Sequence, residues 1–99
     1  MRIHLAAATA AVGAGFFFGL NAAEWTALVI SCALVLALEA MNTALESVVD
    51  LVSPQFNPLA RRAKDCAAGA VLIASLSSLV VGGILFIPKI LVWTGLCRQ

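Results

Sequence analysis

Between Cys66 and Ile87 the chain carries no charged residue, and this unbroken apolar stretch restricts the fold more than any other feature. A helix of about 20 apolar residues spans the ~30 Å hydrocarbon core of a bilayer. Inside that core only helices and closed barrels satisfy every backbone hydrogen bond. Two more apolar runs precede it, the second uncharged from Trp25 through Leu38. At 63% hydrophobic and 11% charged over 99 residues, the chain has too little polar surface to cover a water-soluble core. The expected architecture is all-α, an integral membrane bundle of three transmembrane helices over about residues 3–20, 25–50 and 62–87. No internal repeat or long linker divides it, so residues 1–99 read as a single membrane domain.

The breaks between spans are short. Asn21-Ala22-Ala23-Glu24 is the first, followed by Trp25, a residue suited to a membrane interface. Ser53-Pro54-Gln55-Phe56-Asn57-Pro58 is the stronger turn signal. Asn57 can cap the next helix, and Pro58 suits its first turn, where a missing N–H is harmless. Pro88-Lys89 is expected to close the third span. Arg2, Arg61, Arg62 and Lys64 fall on one side of such a bundle, Lys89 and Arg98 on the other. The positive-inside rule then puts the N-terminus and the 53–64 connection in the cytoplasm, with Glu24 outside.

Other features exclude more than they suggest. A net charge of +1 with no basic run gives nucleic acid no purchase. A secretory signal would need a more basic start and a small-x-small cleavage site than Arg2 and Ala22-Ala23 supply. Cys32, Cys66 and Cys97 show no paired metal-ligand spacing; Cys32 and Cys66 read as small apolar packing residues, and Cys97 has no neighbour that would activate its thiol. His4, alone near a boundary, reads as structural or interfacial. Gly13, Gly15, Gly82, Gly83 and Ala67-Ala68-Gly69-Ala70 allow close helix approach. Three spans make a thin bundle, so a homo-oligomer is expected.

Against this background four polar residues stand out. Glu39, Asn42, Glu46 and Asp50 are spaced by three, four and four residues. At ~100° per residue they share an arc of about 80° on one helix face. Glu46 and Asp50 lie near a helix end. Glu39 lies about 16 Å from Asp50 at ~1.5 Å per residue, inside the span. Ionisable residues at that depth are expensive and usually functional. Arg61, Arg62, Lys64 and Asp65, at the start of the next helix, complement phosphate. Together they describe a place for metal-bound phosphate beside a membrane substrate.

The segment Glu39-Ala-Met-Asn-Thr-Ala-Leu-Glu-Ser-Val-Val-Asp50, followed by Ala63-Lys-Asp-Cys-Ala-Ala-Gly-Ala-Val71, resembles the prokaryotic diacylglycerol kinase and undecaprenol kinase family. The likeness runs from Arg2 to about Lys89. Arg2-Ile-His-Leu, Gly15-Phe-Phe-Phe-Gly-Leu, Leu51-Val-Ser-Pro and Ala67-Ala-Gly-Ala look nearer the undecaprenol kinase branch. It implies a homotrimer of three-span chains that transfers phosphate from ATP, with Mg²⁺, to a lipid hydroxyl at the cytoplasmic face of the bacterial inner membrane. Undecaprenol is the favoured acceptor and diacylglycerol the next. Matching positions make Glu39 the catalytic base and Glu46 the metal ligand. Asn42 and Lys64 would hold phosphate oxygens, while Asp50 and Asp65 would shape the nucleotide end.

Three departures accompany the resemblance. Family members usually begin with an amphipathic surface helix, and a glutamate in it helps bind metal. The sequence starts at Met1, beyond that glutamate. Two readings stay open: a natural start further upstream, or a truncated member with weak or no activity. Asn57 stands where His is common, and Arg61 is bulkier than the Gly of some members. Two other function classes also remain. A small multidrug-type transporter would need a fourth span and an isolated carboxylate. A non-catalytic membrane interaction protein of the same fold would need no working site.

Overall fold

The computed structural model describes Arg2–Gly95, and three helices make up those residues. They are α1 (Arg2–Phe18), α2 (Ala22–Val52) and α3 (Pro58–Thr94). Each boundary has a local cause. Gly19, at φ 70°, takes the left-handed conformation that ends α1 without a Cβ penalty. Asn21 then caps α2: its side chain accepts from the Glu24 N–H at 2.9 Å, and the Asn21 N–H donates to the Glu24 carboxylate at 3.1 Å. That reciprocal capping box starts the helix at Ala22, so the polar break is narrower than expected and Glu24 belongs to the first turn. Asn57 caps α3 as anticipated, accepting from Leu59 and Ala60 N–H groups at 2.8 and 3.3 Å.

The helix does not stop where the third span was expected to close. α3 runs through Pro88 and ends seven residues later at Gly95, whose φ is 79°. A proline removes one helical hydrogen bond and costs roughly 3 kcal/mol. Only that bond is lost, while the turns on either side keep theirs and Gly95 caps the end, its N–H donating to the Leu91 and Val92 carbonyls. Continuation is the cheaper outcome.

The helices alternate in direction, with α2 packed mainly on α3 and α1 lying against α2. The long axis of the molecule measures 59 Å and the others 20 and 19 Å. One end is aromatic. Phe16 packs on Trp25 at 4.9 Å between ring centroids, Phe17 on Trp93 at 5.8 Å and Phe18 on Phe86 at 6.2 Å. Beside them Leu20, Leu28 and Leu85 form a small buried cluster, and Lys89 pairs with Glu24 at 3.1 Å. Most large apolar side chains face outward, among them Ile3, Leu51, Ile73 and Leu79. Exposed apolar surface on this scale would aggregate in water and is solvated by lipid. Both α2 and α3 are long and apolar enough to cross a bilayer; α1 is apolar but shorter.

Gly15 leaves room for the Trp25 ring of α2 against α1. A Cβ there would lie 2.7 Å from the Trp25 ring and 3.1 Å from Leu20 Cδ1, whereas one at Gly13 meets nothing within 4 Å. Overpacking of this kind costs about 1–3 kcal/mol. Gly15→Ala should therefore lower the thermal unfolding midpoint in detergent micelles, while Gly13→Ala, which gains helix propensity, should leave it unchanged or raise it. Equal midpoints for the two variants would refute the contact.

Candidate functional site

Because α2 is helical from Ala22 to Val52, Glu39, Asn42, Glu46 and Asp50 do share one face, at the end of the molecule opposite the aromatic cluster. The Ser53–Asn57 turn brings α3 back alongside that face, and the capped first turns of α3 carry the basic residues. Lys64 Nζ reaches the Asp50 carboxylate and forms an ion pair across the two helices. The Glu46 carboxylate adds a longer-range attraction to the same ammonium. This juxtaposition joins two residues singled out from the sequence that lie on different helices.

Asp65 is not brought to the stripe. It lies 3.9 Å from Arg61 Nε on its own helix, with both side chains more than 70% exposed. Such a pair holds little energy. Arg61, Arg62 and Asp65 instead line a shallow surface hollow with Phe56, Pro58 and Cys66. Asn42 sits deeper, and its side-chain carbonyl oxygen is buried without a hydrogen-bond partner. An unsatisfied buried acceptor costs roughly 1–3 kcal/mol, so its retention calls for an explanation. Glu46 is exposed. Among the described residues no three His, Cys, Asp or Glu side chains gather around a common point.

Glu39 has surroundings of its own. His4 of α1 places Nδ1 2.6 Å from Glu39 Oε2, and the two side chains are 30% and 15% exposed. His4 Nε2 lies 3.3 Å from Ser75 Oγ of α3. His4, read from the sequence as structural or interfacial, thus makes inter-helix contacts whose partners the sequence did not name. Only the antiparallel register of α1 against α2 brings residue 4 beside residue 39, and no local pattern encodes that register. Cys32 is part-buried against the leucine cluster, in keeping with a packing role, and Cys66 is exposed. Cys97 and Arg98 lie outside the described residues.

A face of carboxylates and an amide, with a lysine opposing its open end and a sheltered Glu further in, can hold a polyanion whose charge a bound cation offsets, near an apolar surface. Comparison with known proteins agrees with that chemistry. The family model for prokaryotic diacylglycerol kinase matches residues 1–86. A diacylglycerol kinase of Synechocystis is 46% identical over 91 residues, covering 91% of this chain and 52% of that protein. An undecaprenol kinase of Bacillus subtilis is 39% identical over 89 residues, 90% of this chain and 72% of that protein. The Escherichia coli K12 diacylglycerol kinase is 40% identical over 58 residues, 59% of this chain and 48% of that protein. The chain thus spans about half the length of the Synechocystis relative and nearly three quarters of the Bacillus one. With the match covering most of its length, the chain belongs to the prokaryotic diacylglycerol kinase family.

Proposed function

We propose that the chain transfers the γ-phosphate of ATP to the hydroxyl of a membrane lipid, with undecaprenol the first acceptor and diacylglycerol the second. The observation that carries this reading is the Asp50–Lys64 pair at the open end of a stripe that leads inward to Glu39. Phosphoryl transfer asks mainly for positioning and charge neutralisation. Lys64 and the amide NH2 of Asn42 are suited to donating to phosphate oxygens, and Asp50 to aiming the lysine. Asp65, with Arg61, would border the nucleotide end. Glu39 would accept the proton of the lipid hydroxyl as its oxygen bonds to phosphorus and the bridging oxygen departs with ADP.

The residues fit a magnesium ion that arrives with the nucleotide. Mg²⁺ keeps several waters and is usually held by one or two carboxylates together with substrate phosphates. Glu46 offers one exposed carboxylate four residues from the Asn42 amide, and no closed protein cage is required. When bound, the ion would neutralise charge on the phosphates.

The basic residues Arg2, Arg61, Arg62 and Lys64 at the stripe's end support a cytoplasmic site in the bacterial inner membrane, and helix length bears on its depth. Counted from Trp25, about 20 residues cross the hydrocarbon, so α2 would leave it near residue 44. Glu46 and Asp50 would then lie at and beyond the surface. Glu39 would sit about 8 Å below it at ~1.5 Å per residue, shallower than the stripe alone suggested. α1, at 17 residues, is within the roughly 17–25 that span a bilayer, which supports a three-span chain. The open flank of the stripe, where Glu46 is exposed, supports a homotrimer in which a neighbouring chain covers the site. Undecaprenol is favoured because Arg2-Ile-His-Leu, Gly15-Phe-Phe-Phe-Gly-Leu, Leu51-Val-Ser-Pro and Ala67-Ala-Gly-Ala resemble that branch of the family.

The test is transfer of labelled γ-phosphate from ATP to each lipid by the chain in detergent micelles. Label should appear on undecaprenol faster than on diacylglycerol. The reverse order would change the acceptor, and label on neither would overturn the kinase reading in favour of a non-catalytic membrane protein.

A further inference from the structure

We infer that His4 is a positioning residue that holds the Glu39 carboxylate in place, and that Ser75 holds His4. The inference deepens the phosphotransfer reading above and rests on it for its kinetic part. One residue comes from each helix: His4 from α1, Glu39 from α2 and Ser75 from α3. The 2.6 Å separation of His4 Nδ1 from Glu39 Oε2 is that of a charge-assisted hydrogen bond. A carboxylate can only accept, so the proton of this bond sits on Nδ1. Nε2 is then free to accept from the Ser75 hydroxyl 3.3 Å away. Partners on both ring nitrogens fix the tautomer and the ring plane. The stretch of α3 around Ser75 is uncharged from Cys66 to Ile87, so it brings no competing charge to the ring.

The consequence concerns Glu39 more than His4. A glutamate has three rotatable bonds, and a base serves only where its oxygen meets the hydroxyl proton. His4 restrains the carboxylate from the α1 side, and the Ser75 contact ties that restraint to α3. Misplacement by about 1 Å can lower a rate by ~10²-fold. His4 itself touches neither Asp50 nor Lys64, which pair with each other. Its removal should therefore slow the chemical step and spare nucleotide binding.

Asparagine and glutamine separate this role from simple packing. The Asn amide nitrogen mimics Nδ1, and the Gln amide nitrogen mimics Nε2. His4→Ala should lower kcat by about 10- to 100-fold with the KM for ATP unchanged. His4→Asn should restore most of the loss, and His4→Gln should not. An unchanged kcat in His4→Ala, or a loss that Asn fails to relieve, would overturn the inference while Glu39→Gln still reports on the kinase reading.

A second measurement needs no turnover. His4 is the only histidine in the sequence, so its ring nitrogens can be read by ¹⁵N NMR of the full chain in micelles without ambiguity. Nδ1 should carry the proton in the unaltered protein, and the proton should move to Nε2 in Glu39→Ala. A ring protonated only on Nε2 in the unaltered protein would sink the pairing whatever the activity. A protonated Nδ1 that depends on Glu39, in a chain that phosphorylates no lipid, would uphold the pairing and remove the kinase reading instead.

Discussion

Glu39→Gln is expected to stop phosphate transfer, lowering kcat by about 10²–10⁴-fold, the usual contribution of a general base. The substitution keeps the shape of the side chain. Its amide oxygen can still accept from His4 Nδ1, which lies 2.6 Å from Glu39 Oε2. What it removes is the ability to take a proton. Fold and assembly should be unchanged, as judged by circular dichroism and sedimentation in micelles, and the KM for ATP should move little because Asp50 and Lys64 are untouched. Glu24→Gln is the matching control. Glu24 lies at the opposite end of the molecule, paired with Lys89 at 3.1 Å, and that variant should turn over normally. Full activity in Glu39→Gln would take Glu39 out of the base role and leave the stripe a binding surface only.

What could be read from the sequence was the part encoded by local chemistry. The Ser53–Asn57 turn with Asn57 as cap follows from backbone satisfaction within four residues, and the structure reproduces it. The common face of Glu39, Asn42, Glu46 and Asp50 needs only helical periodicity over one uninterrupted element. The Asp50–Lys64 pair needs little more, because a tight turn returns α3 beside the end of α2.

The misses share a different origin. Pro88 looks like a terminator when its own hydrogen bond is counted alone. It is carried inside α3, where one bond is lost and the turns on either side keep theirs. The His4–Glu39–Ser75 contact depends on how α1 slides against α2 and α3, and small residues permit several registers. The Gly15–Trp25 approach helps select the one observed, through shape and not through any motif. The buried carbonyl of Asn42 was equally invisible, since burial of one atom on a striped helix is decided by the neighbouring helix.

Glu46→Gln is expected to raise the Mg²⁺ concentration for half-maximal rate by about 100-fold or more, since loss of even a supporting group around a metal weakens it ~10–100-fold. The reasoning is one of charge. Mg²⁺ prefers anionic oxygen and gives up its water reluctantly, so a neutral amide replaces a carboxylate poorly. At saturating Mg²⁺ most of the rate should return, because Glu39 still has His4 beside it and Lys64 still has Asp50. That recovery separates a metal ligand from a structural residue, whose loss added metal would not repair. Asp50→Asn provides the contrast. It breaks the ion pair with Lys64 and should raise the KM for ATP at every Mg²⁺ concentration. A Mg²⁺ titration of Glu46→Gln that overlays the unaltered protein would move the metal away from Glu46. The exposed stretch between Asn42 and Asp50 would then be left to the nucleotide alone.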